Sequence, residues 1–119
     1  MSIHLLEESP NLFRMDISGT LRRTDVEQCE AQLSAEMEQG ATVRLLVVLE
    51  RFNGWSDGDA WNDIGFYVKH GDAIERIAIV GDEKWRSQAL MFANAGLRTA
   101  PVEFFPRGGL GIARAWLRE

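Results

Sequence analysis

Residues Val43 to Leu49 carry a single charge, on Arg44, and the five from Leu45 onward are all apolar. A strand with one wet face alternates apolar and polar side chains, whereas an unbroken apolar run needs cover on both faces. Five apolar residues are far too few to cross a bilayer, which takes roughly 20. The segment therefore predicts a central β-strand, in a sheet with helices packed on either side. With 119 residues and 13.4 kDa the chain has room for one hydrophobic core and not two. Its 45% hydrophobic and 26% charged residues suit one folded domain over 1–119 and not a disordered chain.

The rest of the sequence supplies neighbours for that strand. Ile3 to Glu7 and Leu12 to Ser18 read as short strands, the second with Leu12, Arg14 and Asp16 alternating with Phe13, Met15 and Ile17. The turn residues Glu8-Ser9-Pro10-Asn11 between them are too few for a crossover, so the pair is an antiparallel hairpin. Thr24-Asp25-Val26-Glu27 is a capping box that opens a helix, with Val26, Cys29, Leu33 and Met37 on one stripe and Gly40 as its stop. Ile77 to Val80 and Val102 to Phe105 are further apolar runs, followed by loop chemistry at Gly81-Asp82 and Pro106-Arg107-Gly108-Gly109. Helical patterns run from about Asp57 to Lys69, from about Glu83 to Ala95 with Gly96 beyond, and from about Leu110 to Leu117. In the last of these, Leu110, Ala113, Trp116 and Leu117 share one broad face that should anchor it to the sheet. The order β-β-α-β-α-β-α-β-α predicts an α/β fold: a mixed sheet of about five strands, hairpin first and then right-handed β-α repeats, flanked by about four helices.

Charge and chemistry narrow the function classes. Eighteen acidic against thirteen basic residues give a net charge of −5, which argues against a basic nucleic-acid footprint. The single cysteine, Cys29, allows no internal disulfide and no Cys-rich zinc site, falls in the first helix's apolar stripe as inert core, and suits a reducing cytoplasm. Met1-Ser2-Ile3-His4 leads into Glu7 and Glu8, so no signal peptide is expected. His4 at a strand start and His70 at a helix end have no evident catalytic partner, and no HExxH, P-loop or nucleophile-elbow sequence occurs. Asp57 and Asp59 read as charge favouring a helix start. No enzymatic reaction, metal or cofactor is expected.

Taken in order, Gly54-Trp55 after the central strand, Lys69-His70 closing the next helix, Ile79-Val80-Gly81-Asp82, Lys84-Trp85 and the terminal Ala115-Trp116-Leu117 make nearly the whole chain resemble the SpoIIAA-like family, related to STAS domains and compared with CRAL-TRIO lipid-binding domains. The resemblance implies a small sheet flanked by helices, with ligand binding and membrane association suggested for the family and no established reaction. In STAS anti-anti-sigma factors, the loop after the central strand places a phosphorylatable serine, preceded by aspartate, at a helix N-terminus. The matching region here is Asn53-Gly54-Trp55-Ser56-Asp57-Gly58-Asp59, which puts Ser56 at that place but in the order Ser-Asp, with bulky Trp55 before it. A phosphate on Ser56 would meet Asp57 and Asp59, and the plain alternative is a helix N-cap.

In a parallel sheet, ligands sit at the C-terminal strand ends, here the loops 50–56, 81–84 and 106–109. The first of these and its helix carry Phe52, Trp55, Trp61, Phe66 and Tyr67, the densest aromatic run in the chain. Trp61 shares the core-facing side of that helix with Ala60, Ile64, Tyr67 and Val68, while Phe66 points nearly opposite. The expected ligand-contacting residues are thus Phe52, Trp55, Trp61, Phe66, Lys84 and Trp85, as a lid over an apolar pocket or as a patch that meets a membrane or partner. Packing of the same rings on neighbouring helices or on a dimer mate is the alternative. Lys84, Arg107 and the glycines at 108, 109 and 111 could form an anion-friendly rim, or simply a flexible loop. The functional expectation is a non-catalytic, cytoplasmic module that binds a small apolar or amphipathic ligand, with a membrane surface as one setting. The alternative is a STAS-like regulatory domain that binds a protein partner or a second copy of itself, switched by phosphorylation at Ser56.

Overall fold

The computed structural model describes residues 3–38, 40, 42–55, 74–92 and 101–119. The chain begins with two strands, β1 (Ile3–Ser9) and β2 (Leu12–Leu21), then helix α1 (Arg23–Glu38) and strand β3 (Val43–Trp55). Strand β4 (Ile74–Gly81) leads through a 3-10 turn, Glu83–Trp85, into helix α2 (Arg86–Phe92). Strand β5 (Val102–Pro106) and helix α3 (Leu110–Leu117) complete the described elements. The helix expected over Asp57 to Lys69 and the end of the one expected to reach Ala95 lie outside the described residues. The side chains of Val26 and Met37 lie outside them too.

The five strands form one sheet in the order β1-β2-β3-β4-β5, with the first pair antiparallel and the other three pairs parallel. The hairpin turns at Pro10-Asn11, where Asn11 takes φ 65°, a left-handed conformation its short side chain tolerates. Strand β3 is central, as its apolar run requires. Val43 and Leu46, on opposite faces of it, have no exposed surface. The first turn of α1 starts slightly earlier than the capping box indicates, since Asp25 N–H donates to Arg22 O at 3.1 Å and Thr24 lies inside the helix.

Each face of the sheet has its own core. On one, Phe13, Ile17, Leu45, Leu49, Ile77, Ile79 and Phe104 pack under Cys29 and Leu33 of α1 and Ala89 of α2. On the other, Leu12, Leu46, Val48, Ala78 and Val80 pack under Ala113 and Leu117 of α3. Cys29 is thus core, as its stripe position predicts.

Helix α3 is held at its C-terminus by two arginines that are register partners on adjacent strands, Arg44 of β3 and Arg76 of β4. Arg44 donates to Leu117 O, and Arg76 donates to Trp116 O at 2.8 Å with its guanidinium 4.9 Å from the Trp116 ring centre. Two like charges side by side would repel, but here they face the negative end of a helix and the carboxylate of Glu75, 3.3 Å from Arg44. The four-residue face predicted for α3 is present, with Ala113 and Leu117 fully buried and Leu110 and Trp116 half-buried, Trp116 against Phe105 at 5.9 Å. Leu117→Ala should therefore cost about 2–5 kcal/mol and Trp116→Ala about 2 kcal/mol, measured as loss of the urea unfolding free energy.

A second tie joins α3 to the hairpin. Arg114 donates to Glu8 through Nε at 3.1 Å and Nη2 at 2.5 Å, and Arg14 approaches Glu8 at 3.5 Å while its Nε donates to Asp16 at 2.8 Å. The hydrogen bond from Arg114 is the main reason that the Glu8 carboxyl is held below the usual carboxylate range. A native pKa below the unfolded one means that the native state binds fewer protons. The contribution is present above the ordinary carboxylate pKa and is lost as pH falls through the depressed one. Urea midpoints recorded from pH 7 down to pH 3 should accordingly fall less steeply for Glu8→Gln than for the parent chain.

Candidate functional site

Four strands, β2 to β5, run in the same direction, so their C-terminal ends share one edge of the molecule. There β3 outruns its neighbour, pairing with β4 only as far as Val48↔Val80 but with β2 as far as Leu21↔Trp55. The overhang is irregular. Between the pairs Ile17↔Leu49 and Gly19↔Phe52, β3 advances three residues against two, and between Gly19↔Phe52 and Thr20↔Gly54 it advances two against one. Two extra residues are therefore inserted into β3, and Arg51 (φ 54°) and Gly54 (φ 99°) take left-handed conformations there, as bulges require.

The bulges decide which side chains face the core. Regular alternation after Leu49 would turn Arg51 and Asn53 inward. The first insertion instead puts Phe52 on the same face as Leu49, where it is buried in the core shared with α1 and α2, and the second keeps Trp55 on that face. Phe52 lies 5.0 Å from Trp55 and 5.0 Å from Trp85, with Trp55 and Trp85 6.1 Å apart, all three edge to face. Such arrangements place the positive ring edge on the negative ring face.

Trp85 reaches the cluster from the other side of the overhang. Asp82 caps the 3-10 turn after β4, its Oδ1 accepting from Lys84 N–H at 3.0 Å and its carbonyl from Trp85 N–H at 3.0 Å. The Trp85 ring then lies over Gly54, where a Cβ would stand 3.2 Å from the indole Cη2. Gly54 is thus required twice, for its positive φ and for the ring above it. The Lys84 ammonium sits 5.4 Å from the Trp85 ring centre, and Arg86 and Glu83 form an exposed ion pair beside it. The hydrogen bond from Arg86 lowers the Glu83 pKa.

Of the residues the sequence marks as a site, the structure brings together Phe52, Trp55, Lys84 and Trp85. Phe52 is core, only 6% exposed, while Trp55 and Trp85 are half-buried. Trp61, Phe66 and Ser56 lie outside the described residues. Arg107 is exposed in the turn after β5, and the Gly109 amide donates to Pro106 O at 2.9 Å within that turn. Sequence reasoning misses Gly54 and Arg51 as shapers of the site; Gly54 after Asn53, at the end of an apolar strand, is the signal for a bulge. Among the described residues no group of three or more His, Cys, Asp and Glu gathers to hold a metal ion, and no helix is long and apolar enough to cross a membrane.

The two demands on Gly54 separate experimentally. Gly19 also has a positive φ, 67°, but with open space where its Cβ would stand. Gly19→Ala should cost about 1 kcal/mol of backbone strain, whereas Gly54→Ala should cost more by urea unfolding and should also change the near-ultraviolet circular dichroism of the displaced Trp85.

The fold has solved counterparts. An uncharacterized protein of the DUF3478 family with a SpoIIAA-like fold, from Shewanella loihica PV-4, superposes with a TM-score of 0.71 at 25% identity, over 98% of this chain and 93% of that one. The anti-sigma factor antagonist SpoIIAA in its unphosphorylated form gives 0.63 at 17% identity, over 97% and 98% of the two chains. The Bacillus cell fate determinant SpoIIAA in the phosphorylated form gives 0.61 at 19% identity, over 96% and 99%. No curated protein matches the sequence. The SpoIIAA-like family model matches residues 12–118, from the start of β2 to the residue after α3, and the chain belongs to that family.

Proposed function

We propose that the chain is a regulatory protein-interaction domain of the STAS type, which meets a protein partner with the sheet end that carries Phe52, Trp55 and Trp85. The observation that carries this reading is the double bulge of β3. It holds Arg51, a non-glycine residue, in a left-handed conformation, and it brings two half-buried indoles to the rim of the sheet. Bulges and held strain of this kind gather at functional sites, and tryptophan is enriched where proteins bind one another.

The solved neighbours support the same reading, since SpoIIAA is an anti-sigma factor antagonist known in unphosphorylated and phosphorylated forms. Ser56 follows Trp55 directly in the sequence. A phosphate on its hydroxyl would add a charge of about −1.5 to −2 one residue beyond the ring cluster, next to Asp57. That charge is the switch in this proposal.

A small apolar or amphipathic ligand is the weaker reading of these residues. The three rings contact one another, and Phe52 is buried in the core, so a ligand would have to part them. The net charge of −5 also opposes adsorption to an anionic membrane surface.

The test is retention of a partner from the source organism's lysate on the immobilised chain. The parent and Ser56→Ala should retain the same protein, Trp85→Ala and the exposed-site variant Lys84→Glu should retain it at least ~10-fold less, and Ser56→Glu should weaken it. Retention unaffected by these changes would sink the assignment of the surface. Retention of no protein, with a copurifying apolar molecule in native mass spectra, would replace it with the ligand reading.

A further inference from the structure

The two edges of the sheet are not alike. β5 spans five residues, lies between Pro101 and its own terminal Pro106, and carries Glu103; short length, proline and charge are the devices that keep a sheet edge from pairing with another chain. β1 spans seven residues, Ile3–Ser9, with no proline and no lysine, and it carries Leu6, one of three large apolar side chains that stand exposed among the described residues, at 46%. From this asymmetry we infer that the outer edge of β1 pairs antiparallel with β1 of a second copy, which continues the sheet across a two-fold axis.

The sequence of β1 selects that occupant and that register. Leu6 is the midpoint of Ile3–Ser9, so pairing over the full length of the strand sets Leu6 opposite Leu6 of the second copy. Residues directly opposite each other in antiparallel strands share a face, so each leucine covers the other. The same register sets Leu5 opposite Glu7. The strand is acidic only at its C-terminal end, at Glu7 and Glu8. A parallel neighbour would stack the Glu7 carboxylates against each other, whereas the antiparallel one sets each against a leucine; Glu8 keeps its bonds to Arg114 and Arg14 of its own chain. Glu8 is the bulged residue of the β1–β2 pair, between Glu7↔Phe13 and Ser9↔Leu12, so the regular ladder to the second copy is centred on Leu5 to Glu7. The partner-binding rim is formed by the ends of β3 and β4, not by β1, so the contact leaves that rim open.

Sedimentation equilibrium and cysteine cross-linking of the full chain test this. The parent should sediment at twice 13.4 kDa. Leu6→Lys sets two ammonium groups face to face and should weaken the dimer about 100-fold while keeping the parent's circular dichroism. In a Cys29→Ala background, Leu6→Cys should form a disulfide-linked dimer rapidly, because the two positions face each other across the axis. Ile112→Cys, on α3 and 68% exposed, should not. A monomeric parent chain overturns the inference and leaves the edge to a strand from another protein. A dimer that is insensitive to Leu6→Lys, or that cross-links through Ile112→Cys as fast as through Leu6→Cys, overturns it in favour of a different interface.

Discussion

Burial of β3 on both faces is the constraint on which the rest of the structure depends. Val43 and Leu46 are both fully buried yet belong to different cores, one under α1 and α2 and the other under α3. A strand of this kind cannot stand at an edge or face water on one side, because each exposed leucine would forfeit about 1.5–3 kcal/mol of burial. Parallel neighbours follow from it, since only crossover connections return the chain to the same sheet with helices left to cover it. The arginines that receive α3 on the second face are part of the same arrangement. Arg44 belongs to β3, and Arg76 is its register partner on β4.

The site is made at the point where this constraint ends. Up to Val48 the central strand is flanked by β2 and β4, and its alternation is set by two packed faces. Beyond Val48 it keeps only β2, and there the chain departs from regular pairing twice within six residues. The departures set buried Phe52 where alternation would have turned in Arg51, a charged group that an apolar core tolerates only when paired. Trp55 and Trp85 then close around Phe52 from the two sides of the overhang. The stable centre of the sheet and the bulged end that carries Phe52 and Trp55 are thus consecutive parts of one strand.

Much of the fold is legible in the sequence because period and burial leave direct marks in it. The hairpin, the central strand, the crossover order and α3 with its face of Leu110, Ala113, Trp116 and Leu117 all follow from apolar spacing and turn residues. Strand lengths were less legible. β2 runs on to Leu21 and β3 to Trp55, past the points where their patterns fade, because a neighbouring strand can hold a polar segment by backbone hydrogen bonds alone. The candidate site was legible as a set of residue types, through Phe52, Trp55, Lys84 and Trp85. Its geometry was not, since a bulge changes the inward-facing residue without changing composition.

The sequence by itself therefore determined the class of the fold and the central place of Val43 to Leu49. These are consequences of local periodicity and of the cost of leaving apolar side chains in water. Only the tertiary structure decided that Phe52 is core, that Gly54 makes room for an indole from a turn some thirty residues further along the chain, that Arg44 and Arg76 share the end of α3, and that Glu8 meets Arg114 across more than a hundred residues. Such contacts join residues far apart in the chain. They depend on register between strands, and register is fixed by the packing of the whole sheet rather than by any segment within it.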